Sequence, residues 1–193
     1  MTAQTLSPGT IRKLRRSELD QYRDHLLRLD AEARRKRFAH SVSDGFVETY
    51  CSKANAGGTI IFGYFDDGEL RGVAELKRIG EIWGPMAEAA FSVETPYLNQ
   101  GIASELMGRV IRSARNRGVR HLVLSCLIEN AKMRAIAVKY GANLQLQDGS
   151  VIADIVAQGA DYVSFATEAF EDRVGFLLAT LDARSRIRHA AAA

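Results

Sequence analysis

Cysteine is scarce in this 193-residue chain: Cys51 and Cys126 lie far apart and form neither a disulfide framework nor a metal-binding pair. Their scarcity points to a reducing, cytoplasmic setting. Histidine is nearly as rare, with four residues and no HxH or HExxH spacing, so no metal is expected. Three prolines and 16 scattered glycines exclude a collagen-like or low-complexity chain. No apolar run approaches the roughly 18 residues that span a bilayer, so no membrane partner is expected. Residues 1–9 carry no apolar core of a secretory signal. Charge of one sign is also lacking. Lys and Arg total 26 against 23 Asp and Glu, a net +3 that is too mild to argue for nucleic acid as the main partner.

What is present is ordinary for a globular protein: 47% hydrophobic and 25% charged residues, enough for a sizeable core without staples. Two basic runs stand out, Arg12, Lys13, Arg15, Arg16 and then Arg34-Arg35-Lys36-Arg37. They read first as solvated helix faces and second as a docking patch for a polyanion or acidic partner.

Periodicity predicts a strand over residues 10–14. A helix capped by Ser17 follows, with Leu19, Tyr22, Leu26 and Leu29 on its apolar face. Asp30 caps a second helix, and a third starts near Ser43 with Phe46, Val47 and Tyr50 on one side. Strands over 59–65 and 70–77 flank Asp66-Asp67-Gly68-Glu69, a hairpin signal, and a third covers 86–94. Residues 101–117 form an amphipathic helix lined by Ile102, Leu106, Val110 and Ala114 and closed by Gly118. A buried central strand at 121–128, a helix at 130–140 stopped by Gly141, and a hairpin turning at Asp148-Gly149 complete this part. Val163, Ala166, Phe170, Val174, Leu177 and Leu181 then recur at helical spacing in one long helix over 162–186. Residues 190–193 read as a frayed tail. The expected fold is a mixed α/β (α+β) architecture, divided into a domain at 1–157 and a C-terminal helix and tail at 158–193. That helix packs on the same domain or against a second copy of the chain.

The stretch that carries chemistry is residues 87–104, AEAAFSVETPYLNQGIAS. A strand ends, the chain turns at Thr95-Pro96-Tyr97, and a loop feeds a helix at Gly101. Such a loop presents free N–H groups at a positive helix end, an anion site by construction. Along the strand Glu88, Ala90, Ser92 and Glu94 share one face.

This stretch resembles motif A of the GNAT superfamily of N-acetyltransferases, in which a strand ending in valine precedes a [Q/R]-x-x-G-x-[G/A] loop and a helix. The match is Val93 and then Leu98-Asn99-Gln100-Gly101-Ile102-Ala103. Leu98 replaces the usual Gln or Arg, and Asn99 a common glycine. Residues 129–142 resemble motif B, an asparagine opening a helix that ends at glycine, here Asn130 and Gly141. Residues 25–38, Ala87-Glu88-Ala89-Ala90-Phe91-Ser92-Val93 and the Asn130 to Met133 spacing are closest in style to bacterial protein-lysine acetyltransferases.

The resemblance implies a mostly antiparallel sheet with a splayed central strand pair, flanking helices and, here, an extra C-terminal helix. It implies acetyl-CoA as donor and a primary amine as acceptor, a protein lysine or a small amine. It implies cofactor binding by Ser92, Val93, Gln100, Gly101, Ile102, Ala103, Ser104, Asn130 and Met133. The N–H of Ser92 or Val93 would polarise the thioester carbonyl. Deprotonating an amine of pKa about 10.4 at pH 7 costs about 4–5 kcal/mol, so a base is valuable; Glu88 is the first candidate and Glu75 the reserve. Many relatives carry a tyrosine acid where this chain has Ala137, with Tyr140 three residues on, read as core or rim. Releasing a thiol of pKa about 8.5 as thiolate costs only about 2 kcal/mol, so the acid is dispensable. The alternative reading is a GNAT-like module that binds CoA without turnover, and a third is an acidic-partner or nucleic-acid binder through Arg34 to Arg37.

Overall fold

Seven strands form a single sheet in the order β1-β2-β3-β4-β5-β7-β6. The strands are β1 (Thr10–Lys13), β2 (Thr59–Asp66), β3 (Glu69–Arg78), β4 (Met86–Val93), β5 (His121–Leu127), β6 (Asn143–Gln147) and β7 (Ser150–Val156). The structure, a computed structural model, describes residues 9–54, 58–147, 149–157 and 159–192, of which 183–192 as backbone. Residues 1–8 of the stretch read for a secretory signal, Asp148 of the expected second hairpin turn and the terminal Ala193 lie outside these. Every neighbouring pair is antiparallel except β4 with β5, which are parallel and joined through a helix. The expected mixed, mostly antiparallel architecture is the one found. The β2–β3 hairpin turns at Asp67 and Gly68 with φ of +49° and +74°, the pair of left-handed residues that such a tight turn requires.

Strand alternation sends two apolar sets to opposite faces. One face carries Ala74, Leu76, Ala87, Ala89, Leu122, Leu124 and Cys126. Against it pack α4 (Ile102–Arg115), through Ile102, Leu106, Val110 and Ala114, and α5 (Ala131–Lys139), through Met133 and Ala137. Each fully buried Leu, Ile or Val contributes about 1.5–3 kcal/mol, so this stripe alone fixes α4 on the sheet. The other face carries Ile61, Phe65 and Val73 and is covered by α1 (Leu19–Arg28) and α3 (Asp44–Ala54), with Tyr22, Leu26 and Val47 buried between. Helix α2 (Ala31–Phe38), capped by Asp30 Oδ1 accepting from the Ala33 N–H at 2.8 Å, lies against β4 and β5.

Several sequence expectations are corrected. Ser17 does not cap α1; it sits in a 3-10 turn, Arg16–Glu18, and α1 starts at Leu19. The reason is Arg12, whose buried guanidinium takes both Glu18 oxygens at 2.8 Å and draws that carboxylate inward. The second basic run keeps the solvent-facing character expected of it, since no residue of α2 is buried, but its charges are paired. Arg34 pairs with Asp44, Arg35 with Glu32 and Glu129, Lys36 with Glu32 and Arg37 with Glu75, so little free charge is left for a polyanion.

The long helix α6 (Tyr162–Ala192) runs six residues past the expected end, into residues 190–192, as alanine favours helix. It touches β1 and α4 through its polar side. Lys13 Nζ lies 2.7 Å from both Glu168 and Asp172, Arg15 donates to the Phe176 carbonyl at 2.7 Å, and Arg112 pairs with Glu171. Gly175 permits the approach, since a Cβ there would lie 3.0 Å from Arg12 Cβ. Its apolar side faces outward: Val163, Phe170, Leu177 and Leu181 are each more than half exposed.

Candidate functional site

The parallel strands β4 and β5 stay paired only from Met86–His121 to Glu88–Val123. Beyond that, β4 follows β3 up to Val93 and β5 follows β7 up to Leu127, so the two central strands part. The backbone fixes which groups line the gap. Pro85 O accepts from the N–H groups of Arg120 and His121, on the β5 side, whereas the Glu94 N–H donates to Arg71 O at 2.9 Å, on the β3 side. Alternation along the strand then turns the N–H groups of Phe91 and Val93 toward the gap, beyond the last β4–β5 register pair. Of the two expected carbonyl-polarising groups, Val93 N–H faces the gap and Ser92 N–H faces β3.

At the open end the chain passes from Glu94 through a 3-10 turn, Thr95–Tyr97, to Asn99, Gly101 and α4. Tyr97 Oη donates to Asp66 Oδ2 at 2.9 Å, Gln100 Nε2 donates to Pro96 O at 3.1 Å, and Thr95 bonds to Asp30. Gly101 has φ +82° with open space where a Cβ would stand, and Asn99 has φ +65°. Asparagine is among the few non-glycine residues that tolerate this region, so the Asn99 departure preserves the loop. The first in-helix N–H bond of α4 runs from Glu105 to Gly101 O, leaving the N–H groups of Ile102, Ala103 and Ser104 directed outward. Sequence reasoning missed Lys139, whose Nζ donates to Ser104 Oγ at 2.9 Å and adds a full positive charge beside this helix end. It comes from the last turn of α5, and no local pattern links it to the loop.

Asn130 caps α5, its Oδ1 accepting from the Met133 N–H at 3.3 Å, while its Nδ2 has no partner among the described residues. Met133 is buried under the helix, as is Ile102 under α4, so these two shape the floor through their side chains. Ala137 is fully buried. Tyr140 donates to Ser104 O at 2.7 Å and serves α4–α5 packing.

The two carboxylate candidates differ sharply. Glu88 is exposed at the closed end of the gap, and its carboxylate makes no hydrogen bond or ion pair among the described residues. Glu75 is 2% exposed and fully engaged: Tyr22 Oη and Tyr50 Oη each donate to it at 2.7 Å, and Arg37 pairs with it. Burial, reinforced by Glu75 and opposed by Arg37, pushes the Tyr50 hydroxyl up to about 12 and raises Tyr22 well above its ordinary value, so both remain donors. A carboxylate so saturated holds α1, α2 and α3 to β3.

A second polar cluster was not foreseen. His25, fully buried on α1, lies with Nε2 2.9 Å from Ser92 Oγ and Nδ1 3.1 Å from Glu94 Oε1. Arg28 and Arg71 also bind Glu94. Burial works to raise the Glu94 carboxyl, but His25 and Arg28 hold it below its usual range. A signal did exist: His25 falls on the Tyr22, Leu26, Leu29 stripe of α1, and Ser92 and Glu94 alternate on one face of β4.

Among the described residues no group of His, Cys, Asp and Glu could hold a metal ion, and no helix is long and apolar enough to cross a membrane.

Residues 15–142 match the model of the acetyltransferase (GNAT) family. Acetyltransferase Pat of Mycolicibacterium smegmatis is 37% identical over 87 residues, which is 45% of this chain and only 26% of Pat. The GNAT domain of S. lividans PAT superposes with a TM-score of 0.66 at 21% identity, covering 77% of this chain and 90% of that one. Salmonella typhimurium yncA, described with its cofactor acetyl-CoA, gives a TM-score of 0.58 at 15% identity, covering 79% and 95%. These two likenesses show the fold.

Proposed function

The chain belongs to the acetyltransferase (GNAT) family, and from that premise we propose that it transfers the acetyl group of acetyl-CoA to a primary amine. The observation that carries this reading is the parting of β4 from β5 after Glu88–Val123, with unpaired N–H groups along one wall and the positive end of α4 at the mouth.

The residues fit the donor. The N–H groups of Gln100, Gly101, Ile102, Ala103 and Ser104 would hold its pyrophosphate, with Lys139 adding charge. The N–H groups of Phe91 and Val93 and the free Nδ2 of Asn130 would bind the amide-bearing arm from either side, with Ser92 and Met133 as neighbours. Acetyl-CoA supplies an activated acyl thioester. Glu88, at the closed end of the gap and open to solvent, takes a proton from the incoming ammonium, against the roughly 4–5 kcal/mol that deprotonation costs at pH 7. Val93 N–H polarises the carbonyl oxygen.

The acceptor is a protein lysine or a small amine; the motif style of residues 25–38 favours the lysine. Within the C-terminal unit 158–193, α6 acts as an accessory helix of the same domain, and its outward apolar seam pairs with a second copy. Two buried, unpaired cysteines suit a reducing cytoplasm. Leu98 and Ala137 favour a second reading, a CoA-binding regulatory module without turnover.

Acetyl-CoA offered with a panel of lysine peptides and small amines, with thiol release followed, separates the two. Transfer by the wild type that falls in Glu88→Gln supports the enzyme. Tight binding with no transfer to any amine leaves the regulatory module.

A further inference from the structure

The Ser92, His25, Glu94 chain has no part in the transfer as outlined so far, yet its geometry is that of a hydroxyl, an imidazole and an orienting carboxylate. Its polarity follows from the partners. Glu94 is ionised beside Arg28 and Arg71 and can only accept, so the imidazole proton sits on Nδ1. Nε2 then presents a lone pair, and the Ser92 hydroxyl donates to it. The Ser92 oxygen keeps its own lone pairs for another donor. Ser92 stands on β4 between Phe91 and Val93, the residues whose N–H groups turn into the gap.

We propose that Ser92, backed by His25 and Glu94, is a proton relay between the attacking nitrogen and the departing sulfur. This rests on the acetyl-transfer reading, in which Glu88 removes the first ammonium proton and a second must still leave nitrogen. Ser92 Oγ accepts that proton while its own passes to His25 Nε2. The reverse path then delivers one proton to sulfur. The N–C bond forms, the C–S bond breaks with its electron pair on sulfur, and the proton lost by nitrogen is the one sulfur gains. Ser92 and His25 end as they began.

The surroundings suit a transient carrier. Burial holds the imidazole below its ordinary pKa, the Glu94 carboxylate pulls it up, and Arg28 from its own helix and Arg37 from α2 push it down. His25 is therefore neutral at neutral pH and returns a borrowed proton readily. The same bonds also pin α1 to β4. A pin tolerates any residue that fills position 92, whereas a relay needs the hydroxyl.

The test compares wild type, Ser92→Ala, Ser92→Thr and His25→Gln by imidazole 15N NMR, acetyl-CoA titration and steady-state amine acetylation. Wild-type His25 should be neutral with its proton on Nδ1 at pH 7, and Ser92→Ala should move the Nε2 resonance. Ser92→Ala should bind acetyl-CoA within about twofold of wild type and lose about 100-fold in kcat, the scale of a positioned acid–base group. Ser92→Thr should recover most of that loss. A Ser92→Ala kcat within about threefold of wild type overturns the relay, as does a wild-type His25 that is charged or protonated on Nε2 at pH 7. The NMR result stands even if His25→Gln fails to fold. A wild type that binds acetyl-CoA but acetylates no amine ends the transfer reading itself, and the relay with it.

Discussion

Glu88 of β4 stands opposite Val123 of β5 in the last register pair before the two parallel strands separate. The gap therefore has a closed end marked by a solvent-facing carboxylate and an open end marked by the N-terminus of α4. A base at the closed end acts on chemistry and leaves donor binding alone. Glu88→Gln should lower kcat about 100-fold while the acetyl-CoA Kd stays within about twofold, read from steady-state kinetics beside calorimetry.

Gly101 holds φ +82° with open space at the Cβ position. Gly101→Val meets no clash, but forces a β-branched residue into the left-handed region at a cost of about 1–2 kcal/mol or more, or moves the loop. Acetyl-CoA affinity should fall at least tenfold with only a small change in Tm. Asn99→Gly, by contrast, should leave both unchanged, since φ +65° is already met.

Removing the Glu75 carboxylate strands Arg37, whose side chain is 6% exposed. Glu75→Ala should cost about 3–5 kcal/mol, the penalty of an unpaired buried charge. For a chain of this size each kcal/mol is worth about 2–4 °C, so Tm should drop by about 6–20 °C in a thermal melt.

Glu168 joins α6 to the sheet. Although burial works to raise it, its bonds to Lys13 and Asn116 and the charge of Arg117 hold its carboxyl down at about 2, from an ordinary 4.5. A depressed folded-state pKa gives stability that is present above pH about 4.5 and lost as pH falls through about 2. Acid titration by circular dichroism should show a loss across that window that Glu168→Gln does not share, worth about 3 kcal/mol at most.

The outward seam of α6 gives a prediction on assembly. Phe170→Glu with Leu177→Glu should convert a dimer to a monomer in light scattering without lowering acetyl-CoA affinity. A wild type that is monomeric at high concentration removes the seam from the account.

Much of this was legible in the sequence because it is local. The 3.6-residue stripe of α4, the Asp67-Gly68 turn, the Asp30 and Asn130 caps and the Gly101 loop each rest on neighbours in the chain. What was not legible depends on partners far away. Glu75 reads as an ordinary strand residue until Tyr22, Tyr50 and Arg37 arrive from three helices. Arg12 and Lys13 read as a solvated run, although their counterions lie in the 3-10 turn and on α6. The same pairing decides which side of α6 faces in: β1 offers cations, so the acidic side docks and the apolar side is left outward. His25 was passed over because its partners, Ser92 and Glu94, are brought to it only by α1 packing on β4.

The account turns on whether the gap between β4 and β5 holds acetyl-CoA. Isothermal titration of the purified protein with acetyl-CoA and with CoA tests this directly. The account predicts one site per chain with micromolar affinity for both ligands, weakened by Gly101→Val and untouched by Glu88→Gln. No binding at millimolar ligand would contradict it.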